Sequence, residues 1–231
     1  MVERRASDRA ATRAPFGRSV EHVHLPGSRT CLEWPHFWND AGVGLRDVLF
    51  GRKKLAAPAE ERLFALTTAA VTLQTECNLK TSGAGGICFK ALSAGEFARA
   101  ASDIEQLLDS VAAESGSKLA RSEDSFGFSW IVVRDSDLED QVTGVHAVAQ
   151  GLEDQGFGEQ LLAAMFRFDG TKLPVYLVYG YKNGAFWPFV PTGKDQERDN
   201  AQELELKAKL EHELPIEQDL TRWFGLFGAP L

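Results

Sequence analysis

Residues 81–90 read TSGAGGICFK and place three glycines within four positions, beside Thr81, Ser82 and Lys90. Those residue types at that density pose a phosphate cradle. Glycines let backbone amides converge on an anion, and a lysine or hydroxyl completes the charge complement. Such a cradle needs the order strand, loop, helix, so that the amides sit at a helix N-terminus. Here ICFKAL follows the glycines and reads as a short strand, with Lys90 on its far side rather than in a GK[ST] triplet. The glycines are therefore expected to make a turn into a strand or to yield space to a neighbouring backbone.

Other chemistry-bearing residues are scattered. His22 and His24 form an HxH pair with no third ligand in sight, and His36 stands apart from them. His146 falls at the margin of an apolar helix face, the place of a core-edge histidine, and His212 between Glu211 and Glu213 reads as a solvated helix end. No GxSxG or HExxH occurs. The three cysteines, Cys31, Cys77 and Cys88, form no CxxC, which points away from a disulfide framework or zinc cluster and towards a reducing compartment. Carboxylates are plentiful, yet Glu153-Asp154 and Glu203, Glu205 and Glu211 follow the pattern of solvated helix faces. The sequence thus predicts no catalytic residue, no metal, no cofactor and a non-enzymatic role.

These residues must be positioned by a chain of 231 residues, 44% apolar and 25% charged, which is ordinary for a soluble globular protein. A net charge of -8 argues against nucleic acid as the partner, since phosphate binding depends on a concentrated basic surface. No run approaches the length and apolarity of a transmembrane helix. Residues 1–42 carry six arginines and five acidic residues, whereas residues 43–231 carry 19 basic and 28 acidic ones. We expect the first 42 residues to be a disordered leader and 43–231 to be a single α+β domain.

Along the domain, Leu45, Val48 and Leu49 recur at helical spacing and run into Gly51 and the basic triplet Arg52, Lys53 and Lys54. RLFALTTAAVTLQTEC reads as helical, although its threonines would suit a strand. Ser93 with Glu96 forms a capping box for a helix to about residue 112. Lys118–Ser122 and Ser125–Arg134 read as paired strands around Glu123-Asp124, with Phe126, Phe128 and Trp130 alternating onto one aromatic face. Leu138, Val142, Val145, Ala149 and Leu152 mark a helix that Gly156 ends. QLLAAMFRF, LPVYLVYGYK and AFWPFVP, separated by Asp169-Gly170 and Asn183-Gly184, predict a three-stranded antiparallel meander with tight turns. Asp199 or Asn200 caps a last helix to about Glu213, and an aromatic tail closes the chain. Strands broken by single helices imply an α+β fold, a mainly antiparallel sheet with helices packed on one side.

Two features suggest contact with something else. The segment Leu45–Lys54 either docks as a short helix on its own domain, followed by a solvated charge cluster, or meets an anionic membrane surface, each charge adding about 1 kcal/mol. The tail residues Trp223, Phe224 and Phe227 either pack on the sheet or meet a partner. An alternative places a small ligand or an unfamiliar enzyme site on the aromatic sheet face, with Phe126, Trp130 and Trp187 as its floor and Arg198 and Asn200 at its edge.

Taken in order, GLRDVLFGRKK, LFALTTAAVTL, SGAGGICFK, DSFGFSWIVVRD, LEDQGFGEQLLAAMFRF, VYLVYGYKNGAFWPFVPTG, RDNAQELELKAKL and LPIEQDLTRWFGLFGAPL resemble the PspA-associated PspAB family, collinearly from about residue 43 to the end. The resemblance implies an accessory of a phage-shock-type envelope stress response that associates with PspA-like membrane-remodelling proteins. It carries over no catalytic residues. It implies a cytoplasmic adaptor or regulator, peripheral at the inner face of the membrane where Leu45–Lys54 touches it. The layout also looks like the YbjN and type III secretion chaperone architecture, from which a secretion-type chaperone is a further alternative.

Overall fold

The computed structural model describes residues 59–90, 106–114, 116–194 and 196–231, all within the unit Lys53–Leu231. The expected leader, the segment Leu45–Lys54 and the Ser93 capping box lie outside these residues. The stretch of threonines is helical, in three short runs: α1 (Ala59–Leu63), α2 (Ala65–Thr68) and α3 (Ala70–Thr75). Leu63, Leu66, Ala69 and Leu73 recur at three- and four-residue spacing and are buried, so the helical period prevails over β propensity. Thr67 and Thr75 accommodate the helix by donating their hydroxyls back to Phe64 O and Val71 O.

Six strands form one sheet, β1 (Lys80–Lys90), β2 (Lys118–Glu123), β3 (Phe128–Arg134), β4 (Leu161–Asp169), β5 (Val175–Gly180) and β6 (Ala185–Phe189), in the order β2-β3-β1-β4-β5-β6. Every neighbouring pair is antiparallel, and the fold is α+β. A short helix, α4 (106–114), precedes β2. Since β3 and β4 are both antiparallel to β1, they run parallel to each other, and α5 (Leu138–Asp154) connects them by crossing over β1. Asp137 caps α5 by accepting from Glu139 N and Asp140 N, and Val142, Val145, Val148, Ala149 and Leu152 face the sheet side of the core. Gly156, at φ +85°, ends it with paired bonds from Gly156 N to Glu153 O and Phe157 N to Leu152 O.

Of the two readings of the glycine stretch, space for close neighbours holds and a turn does not, for the stretch is the middle of β1. Strand propensity argues against glycine, yet here larger neighbours fill the space on both faces. Successive residues of a strand point to opposite sides, so Gly85 and Gly86 open the two faces separately. A Cβ at Gly85 would lie 2.9 Å from Phe166 Cδ1 and 3.6 Å from Val145 Cγ2 of α5. A Cβ at Gly86 would lie 3.0 Å from Ile131 O and 3.2 Å from Leu231 Cδ2. Gly83, at φ +82°, sits where the register against β4 shifts between Thr81 and Ala84, a bulge only glycine enters without strain.

Cross-strand partners share a face, which assigns the side chains. Val133, Gly85, Phe166, Leu177 and Pro188 form one row on the α5 face. Val132, Gly86, Met165, Val178 and Trp187 form the matching row on the opposite face. The meander holds as expected, but its connections are loops, 170–174 and 181–184, rather than two-residue turns. Gly170 and Gly184 supply the positive φ, at 139° and 55°, while Asn183 stays in the ordinary region.

α6 (Asn200–Leu210) is capped by Asp199, which accepts from Gln202 N at 3.0 Å, and it stops short of Glu213. The chain then pairs with the outer edge of β6: Phe186 N donates to Pro215 O and Glu217 N donates to Phe186 O, both at 2.8 Å. Residues 218–231 follow as an irregular strap with a single 3-10 turn at Leu220–Arg222. They cross the sheet face opposite α5, and Leu231 ends against Gly86.

Candidate functional site: the strap and the sheet face beneath it

The strap is held at its start by a buried ion pair. Glu203 lies on the stripe that α6 buries with Leu206 and Leu210, and its side chain is only 2% exposed. Its carboxylate accepts from Val190 N at 2.8 Å and from Arg198 Nε at 2.9 Å on both oxygens. Burial pushes the Glu203 carboxyl above the usual carboxylate range, against the opposing pull of its bond to Arg198. Arg198 is fixed by the bridge between Arg198 and Pro191 and by its position 5.3 Å from the Phe189 ring centroid. Its Nη1 donates to Trp223 O at 2.7 Å, so the pair ends on the strap.

Further donors continue the hold. Trp187 Nε1 donates to Phe224 O at 3.0 Å, Arg167 Nη1 to Leu231 O at 3.2 Å, and Arg134 Nη2 reaches Pro230 O at 3.5 Å. The Phe227 ring meets Phe189 edge-on with centroids 4.9 Å apart. Inside the strap, Trp223 Nε1 donates to Glu217 O at 2.9 Å. Arg134, Ala84, Arg167 and Tyr176 are register partners, so the two arginines share the strap face on either side of β1. Between strap and sheet lies a cleft of about 170 Å³ lined by Tyr176, Phe189, Pro191, Leu226, Phe227 and Ala229. Small-molecule sites commonly enclose roughly 300–1,000 Å³.

The residues proposed as a ligand face are divided by the fold. Trp130 on β3 and Trp187 on β6 share a face but have three strands between them, roughly 19 Å at the usual strand spacing. Trp130 is wholly buried, and its indole donates to Asp124 Oδ2 at 2.8 Å, tying down the β2–β3 turn. Phe126 sits in that turn, 52% exposed, rather than on the strand. Asn200 is the exposed first residue of α6, while Arg198 joins Trp187 and Trp223 in the strap's tether. Trp223 is buried and Phe224 and Phe227 half-buried, so the aromatic tail packs back on its own sheet. Leu45, Val48, Leu49, Arg52, Lys53 and Lys54 fall outside the described residues.

Sequence reasoning missed Glu203, which it placed on a solvated face. The signal was present: Glu203, Leu206 and Leu210 repeat at the spacing of one helix stripe. It also missed Gln141, which is fully buried on α5 and donates to Thr81 Oγ1 and Asp135 O, both at 2.8 Å. His146 stands as expected at the core edge, its ring 5.1 Å from Phe64 in a T-shaped contact. Burial raises the thiols of Cys77 and Cys88 above the ordinary range. Among the described residues no three metal-ligating side chains converge, and no helix is long and apolar enough to cross a membrane.

No curated protein and no solved structure matches the chain. A family model described as PspA associated protein B matches residues 43–231, from the basic amphipathic segment through the sheet, α5, α6 and the strap. That span carries every element described above, and the chain belongs to the PspA associated protein B (PspAB) family.

Proposed function

We infer that the protein is a non-enzymatic adaptor or regulator of an envelope stress response that binds a PspA-like protein. Membership of a family described as PspA-associated carries this reading. The polar groups of the strap face support it, since Arg198, Arg167 and Trp187 are engaged in holding polypeptide carbonyls, with Glu203 orienting Arg198. The small cleft and the separation of Trp130 from Trp187 disfavour the small-ligand alternative. The likeness to YbjN and secretion chaperones enters only as an analogy of architecture.

The test uses the full chain and the PspA homologue encoded in the same genome. Both are purified and mixed, and association is read by size-exclusion chromatography with light scattering. A stable joint species supports the adaptor. Separate elution at concentrations well above the micromolar range sinks it. Peripheral membrane contact through Leu45–Lys54 is a second part of the proposal. Flotation with anionic vesicles that falls with added salt and with charge reversal at Arg52, Lys53 and Lys54 supports that part, and unchanged flotation removes it.

A further inference from the structure

Asn183-Gly184 is the only Asn-Gly step in the sequence, and it lies in the loop 181–184 that joins β5 to β6. The step has chemistry of its own. A backbone nitrogen that follows an asparagine can attack the side-chain amide carbon, and glycine, with no side chain to obstruct the approach, permits this most readily. In the folded protein both reacting groups are engaged. Gly184 N donates to Gly180 O at 2.8 Å, and Asn183 Nδ2 donates to Glu217 Oε2 at 3.0 Å. Asn183 is exposed but Gly184 is buried, at φ +55°, under the guanidinium of Arg62 on α1. Arg62 Nη1 also reaches Asn183 O at 3.4 Å. Glu217 is fixed in turn, since its N donates to Phe186 O at the outer edge of β6 and Arg222 Nη1 stands 3.8 Å from its Oε2.

We propose that Asn183 is a latent self-modification site, a deamidation site that the folded loop and its contact with Glu217 keep unreactive and that unfolding exposes. In the reaction the Gly184 nitrogen bonds to Asn183 Cγ and gives its proton to solvent. Nδ2 leaves as ammonia, and a five-membered imide closes. One water then adds and breaks either ring C–N bond, leaving aspartate or isoaspartate at position 183. One water enters, one ammonia departs, and nothing is oxidised or reduced. The attack requires Gly184 N to leave Gly180 O and Asn183 Cγ to swing towards it, so the reaction passes through an opened loop. The change is one-way in its effect: a carboxylate replaces the amide that donates to Glu217, so two acceptors face each other at the edge of β6.

The test incubates the full chain in mildly alkaline buffer, once native and once unfolded in urea. Peptide mapping by mass spectrometry follows amide-to-acid conversion at position 183, and chromatography separates the aspartate and isoaspartate products. We expect the native rate to be about tenfold or more below the rate in urea, because only the opened loop reacts. Glu217→Ala removes the acceptor of Asn183 Nδ2, and its native rate should rise about threefold or more while its rate in urea stays that of the parent. Glu217→Gln keeps a side-chain acceptor and should react like the parent. Cooperative urea unfolding of each variant checks that it is folded.

Equal rates in the native and unfolded parent overturn the inference, since the fold then gives no protection; this comparison needs no variant. Absence of conversion at position 183 in urea overturns it as well, because the step is then not a reactive site. A native rate unchanged in folded Glu217→Ala overturns the part assigned to the Glu217 contact. A slow native parent, a fast unfolded one and a quickened Glu217→Ala support it.

Discussion

The face of the sheet that carries Gly85 is closed by α5 through aliphatic side chains, whereas the face that carries Gly86 is closed by residues 218–231 through hydrogen bonds to their carbonyls. On the first face Val142, Val145, Val148 and Leu152 are fully buried, and contact is continuous along a regular helix. On the second, a few donors pin an irregular chain, and a half-open cleft runs beside it. Dispersion and burial grow with area and do not depend on any one atom pair. A closure built on a few directional bonds fails when one donor is lost. The first face is closed mainly by area and the second in large part by directional bonds.

Substitutions can break this comparison, beginning with the largest effect. Arg198→Ala leaves Glu203 charged and unpaired at 2% exposure and frees Trp223 O. We expect a loss of about 3–5 kcal/mol in urea unfolding and rapid exchange throughout the strap. A loss under about 1 kcal/mol would mean that the pair is not the strap's anchor.

Next come the neighbouring glycines, which test one face each. Gly85→Ala drives a methyl into Phe166 beneath α5 and lowers global stability by about 1–3 kcal/mol, with no selective change in the strap. Gly86→Ala meets Ile131 O and Leu231, and its expected signature is faster exchange of 218–231 beyond any global effect. Identical exchange patterns in the two variants would erase the distinction between the faces.

A smaller effect is the pH dependence of the pair. Burial raises the folded-state pKa of Glu203 above its unfolded value, so the folded protein holds this proton more tightly. The associated stability is fully present below the unfolded value and is lost as pH rises through the folded one. The stability of the parent relative to Glu203→Gln therefore declines as pH rises across that window and is level above it. A difference that grows with rising pH would show that Arg198, rather than burial, governs the carboxylate.

The smallest effect concerns Cys88, which points to the strap face beside Trp130 and Ala163 in register. Burial raises its thiol, so iodoacetamide should leave it unmodified in the native protein and label it once urea unfolds the chain. Native labelling as fast as that of an exposed cysteine would mean that this part of the sheet is open to solvent most of the time.

The two faces also differ in how far they could be read in advance. α5 was legible because its apolar residues repeat at one period and Gly156 supplies a stop signal. The meander was legible because Asp169-Gly170 and Asn183-Gly184 punctuate three apolar runs. The strap was not, since Trp223, Phe224, Leu226 and Phe227 have no period, and their partners lie on β6 and in the loop before α6. Gly85 and Gly86 were legible only in part, as a turn or as space for a neighbour, for a related reason. Glycine in a strand is unfavourable locally, and what repays it is a neighbour far along the chain, Phe166 for one and Leu231 for the other. Glu203 looked solvated by composition, although its spacing from Leu206 and Leu210 put it on the buried stripe.

The account is tested most directly by hydrogen exchange of the full chain. It predicts that the amides of 218–231, which belong to no ladder, exchange faster than those of α5 and β4. Protection of 218–231 equal to that of α5 and β4 would contradict it, because the two closures would then open only together with the whole sheet.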